Sequence, residues 1–460
     1  MLSTIGGHVY NLFTIPLLTN YLSKDEFGFY TILVQMVVIL QSSLAILIAN
    51  GLLKFWVDTK EENKVRFISS IFIFYIISDL LLSLCVYIFR NQLIPSLFPN
   101  ISLALYPAML FTLLWLFFIS LRSFLIVFVY TLEKPVFALI HIITYGVLLV
   151  ALLAYQLVYK GANVSDVMSS FAIAEMLAIL ILLIPTKKYL NFYFNLAFLK
   201  IFMKFSLPLI GGSLAFITFQ NIDRIVLARY VSLEDMGVYG IGFMFGNIAG
   251  MIVSANMSAY LPRVKKVMAS GDEVEVKRLT THYMQEMQDL MLIVVFGIAL
   301  FSKLIVYLFA NSYSGSLASL VMIGVALGHL ARSNYLFFEQ ILFLKDRVKT
   351  IFVVKVLILV LGSLLAVVLI SQFNLYGASL VYLATFLLIN IVAYNLINSY
   401  NLVEISIKRT IAVGLVILSL ILLQYLDINI FFLYSIEALI LGYLSYRYLK
   451  LYILKKATSD

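Results

Sequence analysis

Charged residues are scarce in this 460-residue chain, since Asp, Glu, Lys and Arg together make up only 12% of it. A typical soluble domain carries about 25% charged residues, which cover its water-facing surface. The low charge excludes a soluble globular protein, a disordered chain and a nucleic-acid-binding protein. Cysteine is nearly absent as well. The single Cys85 excludes an intrachain disulfide and any metal site built from several cysteines.

Apolar residues dominate instead. They make up 63% of the chain, and the mean hydropathy is +1.04. One membrane crossing takes about 20 apolar residues, so the sequence predicts an all-α, polytopic membrane protein of about 14 transmembrane helices, with about 12 as the alternative. The predicted spans are 3–22, 27–53, 67–89, 103–130, 135–159, 164–185, 205–229, 236–262, 279–309, 317–343, 349–370, 377–398, 409–426 and 428–449.

Lys and Arg are distributed unevenly among the loops. Of the 32 basic residues, 23 lie in or beside the loops after even-numbered spans and the C-terminus, and 4 lie in the loops after odd-numbered spans. Positive residues collect in cytoplasmic loops. We therefore predict that both termini are cytoplasmic and that the number of spans is even.

An internal repeat is visible at a shift of about 210 residues. Residues 21–30 (YLSKDEFGFY) recur as residues 230–239 (YVSLEDMGVY). Weaker matches follow in the same order: Asp79-Leu80 with Asp289-Leu290, Arg122-Ser123 with Arg332-Ser333, and Gly161-Ala162 with Gly377-Ala378. The repeat predicts two six-helix bundles of parallel topology, the arrangement of an alternating-access transporter.

The repeat also divides the chain into domains. We predict an N-terminal six-helix bundle over 1–185 and a C-terminal one over 205–400. Residues 186–204, which mix lysines with aromatics, are predicted to form a cytoplasmic interfacial helix between the bundles, with an ordinary loop as the alternative. Residues 401–460 add two more helices and a cytoplasmic tail.

Two segments resemble a known family. Residues 17–23 (LLTNYLS) with 26–30 (EFGFY) resemble the opening of Wzx-type O-antigen and exopolysaccharide flippases. Residues 223–227 (DRIVL), with Tyr230 and Gly237-Val238-Tyr239, resemble the second half of the same pattern. The charged N-terminal segment of that family does not precede the first span, which leaves this span the least well defined.

The resemblance implies a place in the multidrug/oligosaccharidyl-lipid/polysaccharide exporter superfamily and in the bacterial inner membrane. It implies a substrate, an undecaprenyl-diphosphate-linked oligosaccharide, that moves from the cytoplasmic to the periplasmic leaflet. It further implies contact with membrane lipid, and with a polysaccharide polymerase and a chain-length regulator as partners.

Two arginines are predicted within the membrane, at matched positions of the repeat. Each charge there costs about 2.5–3.5 kcal/mol on insertion scales, so Arg122 and Arg332 need a function or a partner. A guanidinium binds phosphate oxygens in pairs, which suits a diphosphate-linked lipid. The alternative is a structural ion pair within each bundle, Asp79 with Arg122 and Asp289 with Arg332.

Four acidic residues are candidates for ion coupling or ion pairing. Asp79 and Asp289 could carry a coupling ion, H⁺ or Na⁺. Glu175 lies in the middle of span 6 and has no acidic counterpart in the repeat. Asp223 is adjacent to Arg224 near the predicted periplasmic end of span 7, and the resemblance implies a gate or a contact between the two halves there.

Several uncharged and basic residues complete the predicted substrate site. Arg224 is included with Arg122 and Arg332. Gln41 and Asn221 could bind sugar hydroxyls or instead join helices. His329 lies one turn before Arg332 and could line the same cavity, with a packed histidine as the alternative. The four histidines show no metal-ligand spacing, so we predict neither a metal site nor a cofactor.

Absent motifs limit the function further. The sequence contains no GxxxxGK[ST] motif for ATP hydrolysis and no large loop for a catalytic domain. We therefore predict a flippase and not an enzyme. A multidrug/cation antiporter of the same superfamily is one alternative, and a membrane-embedded enzyme of envelope synthesis is another.

Overall fold

The computed structural model describes residues 10–97, 107–161 and 163–404. Within these ranges nearly every residue is helical and no strand is present. The all-α fold class is therefore confirmed. The predicted spans 409–426 and 428–449 and the first residues of span 1 lie outside the described ranges, so the total number of spans and their orientation stay predictions.

The helices follow the predicted spans closely. We number them α1 to α12 in chain order. They are α1 (Asn11–Tyr21), α2 (Lys24–Asp58), α3 (Glu61–Leu97), α4 (Pro107–Thr131), α5 (Pro135–Ala154), α6 (Val164–Thr186), α7 (Leu196–Leu227), α8 (Leu233–Gly246), α9 (Ile248–Ala269), α10 (Glu273–Phe309), α11 (Ala318–Leu344) and α12 (Val348–Ile397). A π-helical turn at Tyr155–Tyr159 extends α5.

Eight helical segments in the described chain are long and apolar enough to cross a membrane. One of them, Glu61–Gln92, has a mean hydropathy of 2.3 but only 17% of its most apolar window is buried. Its large side chains, such as Leu80, Leu81 and Ile88, are more than half exposed. An apolar helix surface without protein neighbours fits a lipid environment. The chain is therefore a multi-pass membrane protein.

Polar side chains cap the starts of α2 and α6. The Ser23 side chain accepts a hydrogen bond from the backbone of Glu26, whose carboxylate accepts one from the Ser23 backbone in return. Asn163 and Asp166 form the same reciprocal cap at the start of α6. These reciprocal caps satisfy backbone N–H groups that have no partner inside the helix. Both lie within a few residues of the predicted starts.

The 186–204 segment differs from the predicted interfacial helix. A short 3₁₀ turn, Lys187–Tyr189, is followed by non-helical residues 190–195. Asn195 then caps α7, its side chain accepting from the Ala197 backbone at 2.8 Å. Residues 196–204 are therefore the first turns of the span 7 helix rather than a helix of their own.

The helical segment α12 contains predicted spans 11 and 12 and a break between them. Asn374 interrupts it with a φ of 48°. A Cβ at Gly377 would stand 2.0 Å from the carbonyl oxygen of Leu369, so the chain passes close to its own earlier turn and requires glycine there. At the repeat counterpart, Gly161, the reason for glycine is the backbone angle and not a close contact. Its φ of +62° is a left-handed conformation that favours glycine.

The chain forms two compact units. Unit 1 contains Met1–Gly237 and Phe309–Ser312, and unit 2 contains Val238–Leu308 and Tyr313–Asp460. The predicted domain boundaries stay a prediction. A core of unit 1 is built on Leu52, Phe67, Ile71, Phe124, Phe128, Leu182 and Phe202. Lipid is as apolar as these side chains, so close packing, rather than exclusion of water, holds such helices together.

Candidate functional site

Three ionisable side chains from three helices meet inside unit 1. Arg122 on α4 places Nη1 3.4 Å from Oε2 of Glu175 on α6. The other oxygen of Glu175, Oε1, lies 3.2 Å from Nε2 of His141 on α5. The side chains of Glu175 and His141 are fully buried, whereas 25% of the Arg122 side chain stays exposed. We call these residues the Arg122–Glu175–His141 cluster.

The positions along the helices explain why the groups meet. Arg122, His141 and Glu175 lie nine, six and eleven residues from the ends of their helices on one common side, the predicted cytoplasmic side. At 1.5 Å per residue these distances are about 14, 9 and 17 Å, so the three residues lie within about 8 Å of one another in depth. A charge at this depth is costly without a partner. The carboxylate of Glu175 supplies that partner for Arg122.

Aromatic rings surround the cluster. The ring of Tyr145 lies parallel to that of His141, with centroids 6.4 Å apart. Tyr10 meets Tyr145 edge-on at 5.4 Å and lies over Gly146, where a Cβ would stand 3.2 Å from the Tyr10 side chain. Tyr30 packs on Phe171, one turn before Glu175. The tyrosine rings bring phenolic hydroxyl groups close to the cluster.

The alternative given for Arg122 was an ion pair with Asp79, but in this structure Arg122 pairs with Glu175. Asp79 lies on α3 one turn after Tyr75, whose hydroxyl donates to the Ser120 carbonyl at 3.0 Å. Asp79 is 1% exposed, and its Oδ1 has no hydrogen-bond partner within the described part of the chain.

A second polar group joins α2 to α7. The Oδ1 of Asn221 accepts hydrogen bonds from Gln35 Nε2 and, at 3.1 Å, from Arg224 Nη1. Asp223 accepts from the Arg224 backbone N–H at 2.9 Å. Asn221, Asp223 and Arg224 are all buried. This arrangement favours a role in joining helices over contact with sugar hydroxyls.

Gln41 is also used between helices. Its Nε2 donates to Ser123 Oγ on α4 at 2.6 Å, and that serine donates to the Ile119 carbonyl at 2.9 Å. Ser123 directly follows Arg122, so the contact helps fix the part of α4 that presents the guanidinium. Gln41 therefore acts on the cluster through α4.

In unit 2, Arg332 and His329 lie on α11 and Asp289 lies on α10. His329 is 3% exposed, and neither ring nitrogen has a hydrogen-bond partner among the described residues. It packs on Gly250, where a Cβ would stand 2.4 Å from the ring, and on Tyr382. This environment favours the packed-histidine alternative. The pairing of Asp289 with Arg332 stays a prediction.

Sequence reasoning missed two features. His141 was one of four scattered histidines, and no spacing linked it to Glu175, since the two residues meet only in the packed fold. Lys355 pairs with Glu339 at 2.7 Å, with only 18% and 15% of the side chains exposed. No sequence signal distinguishes this pair from charges at helix ends.

The two copies of the repeated motif contact each other in unit 1. Lys24 Nζ lies 2.6 Å from Oε1 of Glu234. A Cβ at Gly28 would stand 1.7 Å from the carbonyl oxygen of Leu233, so no larger residue fits the observed backbone. Thr31 lies 3.5 Å from the Met236 carbonyl. We call this contact between residues 24–31 and 233–236 the repeat contact. The repeat contact lies at the helix ends that are predicted to face the periplasm.

The fold and the buried charges place the chain among polytopic membrane proteins. Their long helices carry ionisable side chains in the protein interior. The family model described as "Polysaccharide biosynthesis protein" matches residues 1–268, more than half of the chain. The chain belongs to this family. A comparison with curated proteins gives no match.

Solved structures with a similar fold are flippases and transporters. The lipid II flippase MurJ, in an inward closed conformation, superposes with a TM-score of 0.78 at 16% identity over 99% of this chain and 98% of that one. An inward-facing multidrug resistance MATE family transporter of the MOP superfamily gives a TM-score of 0.69 at 12% identity, over 86% and 94%. A Vibrio cholerae MATE transporter, VcmN, gives 0.61 at 14%, over 87% and 97%.

Proposed function

We propose that the protein is a flippase for an undecaprenyl-diphosphate-linked oligosaccharide, such as an O-antigen, capsule or exopolysaccharide unit. It moves this lipid from the cytoplasmic to the periplasmic leaflet of the inner membrane by alternating access. The family and the fold shared with a lipid II flippase support a lipid-linked substrate. The polysaccharide polymerase and the chain-length regulator are proposed as its partners.

The observation that carries this proposal is the guanidinium of Arg122. It lies deep in α4, it is three-quarters buried, and its described ion pair is a single long contact to Glu175. Arginine binds planar oxyanions with several donors at once, and a diphosphate crossing a low-dielectric layer needs such a counter-charge. Arg332, at the matched position of the repeat, is proposed to serve the same headgroup.

The test is transport of a fluorescent lipid-linked oligosaccharide in proteoliposomes. Replacing both arginines (Arg122→Ala with Arg332→Ala) should reduce the flipping rate by at least tenfold. Arg90→Ala is the control, because the contacts that Arg90 makes with described residues are local, to the Tyr87 carbonyl and ring near the far end of α3. Unchanged flipping by the double variant would contradict the role of the two arginines. No flipping by the native protein would contradict the function itself.

The coupling ion is part of the same proposal. Asp79 is the buried acid without an ion pair in the described chain, and with Asp289, Glu175 and Asp223 it is a candidate site for H⁺ or Na⁺. Flipping rates measured with an imposed proton gradient or an imposed sodium gradient distinguish the two ions. A rate that follows neither gradient would contradict ion coupling.

A multidrug/cation antiporter is the second candidate, because the fold is shared with a multidrug MATE transporter. Organic cations are attracted by acidic cavities, whereas Arg122 brings a positive charge to this site. Drug resistance that rises with expression of the protein, without any flipping activity, would favour the antiporter.

A further inference from the structure

The carboxylate of Glu175 uses little of the hydrogen-bonding capacity of the Arg122 guanidinium. A guanidinium has five N–H donors, but Arg122 gives Glu175 one contact at 3.4 Å, long for a charge-assisted hydrogen bond. The two oxygens of Glu175 are divided between Arg122 and His141, so the carboxylate cannot offer both to the guanidinium. A phosphate group with several free oxygens can therefore accept from more of the Arg122 donors than the resident carboxylate does.

Displacement of Glu175 has an electrostatic consequence. Its side chain has no exposed surface, and a carboxylate buried in this way is costly without a counter-charge. The titratable groups facing it are Arg122, His141 and, among the surrounding rings, Tyr10, Tyr30 and Tyr145. Once an anion occupies the guanidinium, the tyrosine hydroxyls add no positive charge. His141, with Nε2 at 3.2 Å from the carboxylate, offers a place for a proton.

We propose that the His141–Glu175 pair is a proton-binding site coupled to anion binding at Arg122. When the diphosphate takes the guanidinium, the pair takes up one proton, held between His141 Nε2 and Glu175 Oε1. The added proton offsets the negative charge brought by the ligand. This inference rests on the proposed function, because it assigns the diphosphate of the substrate to Arg122, and it deepens that function by naming the ion and its site.

The sign of the coupling follows from linkage. If anion binding favours protonation, protonation favours anion binding by the same factor. Lower pH should therefore tighten binding, by up to tenfold per pH unit where one proton is taken up per ligand. The ligand itself also titrates, so the informative quantity is the difference in pH dependence between the native protein and a variant without the acid.

The experiment uses the full-length protein in detergent, with farnesyl diphosphate as the lipid probe and inorganic diphosphate as the free-anion probe. Calorimetry in two buffers of different ionisation enthalpy counts the protons taken up per ligand bound. We expect about one more proton for the native protein than for Glu175→Gln. At pH 8 the variant should bind more tightly, because no carboxylate competes for Arg122. Equal proton counts in the two proteins would overturn the proposal.

A spectroscopic measurement keeps the proposal testable if Glu175→Gln does not fold. Infrared difference spectra of the native protein on adding farnesyl diphosphate should show a new protonated-carboxyl band or a protonated-imidazole band. Their joint absence, or binding that depends on Na⁺ and not on pH, would overturn the proposal. Binding of neither probe through Arg122, tested with Arg122→Ala, would instead contradict the proposed function. Binding of farnesyl diphosphate alone, without binding of inorganic diphosphate, identifies a lipid-linked diphosphate as the ligand and supports the proposal.

Discussion

At the scale of single residues, Arg122 and Glu175 form a buried pair whose two members depend on each other. Removing one partner leaves an uncompensated charge, which costs about 3–5 kcal/mol, whereas replacing both by apolar residues is often neutral. We therefore expect Glu175→Ala to unfold at a clearly lower temperature in detergent than the native protein. The double variant Arg122→Met with Glu175→Leu should recover most of that loss while losing transport.

The control for this prediction is another Glu–Arg pair. Glu275 and Arg278 lie 2.6 Å apart at the start of α10, on an exposed surface. Exposed pairs contribute little to stability. Glu275→Ala should leave the unfolding temperature nearly unchanged. A loss as large as that of Glu175→Ala, or no recovery in the double variant, would show that the buried pair is not the cause.

Gly28 gives a prediction about backbone contact. A Cβ there would stand 1.7 Å from the Leu233 carbonyl, so Gly28→Ala should separate the repeat contact and lower stability. Gly297→Ala is the matched control, because a Cβ at this helical glycine would meet no atom of the described residues within 4 Å, and alanine favours helices by up to about 1 kcal/mol. Thermal unfolding of both variants should shift in opposite directions. A destabilised Gly297→Ala with a stable Gly28→Ala would contradict the packing described.

The sequence predicts which residues are unusual more readily than it predicts their partners. Arg122 was identifiable because a charge in an apolar run needs an explanation. Its partner was not, since Asp79 and Glu175 are both acids in neighbouring spans, and the choice between them depends on how each helix is rotated about its axis. Gln41 and Asn221 were equally ambiguous, because sugar hydroxyls and helix neighbours require the same amide donors.

At the scale of helices, the spans were predictable because a membrane-crossing helix must be apolar along its whole length. Helix ends outside the membrane are harder to predict, because the sequence there need not be apolar. The lysines and aromatics of 186–204 suggested a separate interfacial helix, yet Asn195 caps α7 earlier than the apolar run begins. The turn at Asn374 was predictable only as a gap between spans, since a φ of 48° for asparagine is set by the local chain path.

The non-helical segment 190–195 is held by two neighbouring serines of α3. Ser69 Oγ donates to the Tyr189 carbonyl at 3.1 Å and accepts from the Asn191 N–H at 2.9 Å. Ser70 Oγ accepts from the Asn195 N–H at 2.9 Å. Ser69→Ala with Ser70→Ala leaves these backbone groups unsatisfied, at about 1–3 kcal/mol each where they are buried.

The measurement for this prediction is hydrogen exchange by mass spectrometry. Amides of 189–196 should exchange at least tenfold faster in the double serine variant, while those of α4 should not change. Ser371→Ala is the control, because Ser371 is exposed and donates only to the Val368 carbonyl of its own helix. Unchanged exchange in 189–196 would mean that packing, rather than the two hydroxyls, holds the segment.

At the scale of the whole molecule, the repeat was visible in the sequence, but the meeting of its two copies was not. Residues 21–30 and 230–239 begin their helices in the same way. In each copy a serine hydroxyl accepts a hydrogen bond from the backbone N–H of an acidic residue three positions later. That similarity explains why both copies form the same local turn. The pairing of Lys24 with Glu234 involves positions that differ between the copies, so no comparison of the two sequences predicts it.

The repeat contact tests alternating access directly. It joins the predicted N-terminal bundle to the predicted C-terminal bundle at the predicted periplasmic end, so we expect alternating access to separate residues 24–31 from 233–236 in each cycle. The native Cys85 is first replaced by Ser, which leaves a chain without thiols. Lys24→Cys and Glu234→Cys are then joined by a short thiol-specific cross-linker in proteoliposomes. We expect flipping to fall at least tenfold on cross-linking and to return when a cleavable linker is reduced.

The matched control is the pair Lys345 and Glu273, which lies within unit 2 at 2.5 Å and at the opposite, predicted cytoplasmic end. Its cysteine pair, cross-linked in the same way, should keep most of its flipping, because both residues belong to the predicted C-terminal bundle, 205–400, whereas Lys24 and Glu234 belong to different predicted bundles. Flipping that continues with the Lys24–Glu234 pair fully cross-linked would mean that the substrate leaves without separating the repeat contact. A block in both pairs would indicate that the cross-linker itself inhibits the protein. Only a block confined to the first pair makes this contact a gate.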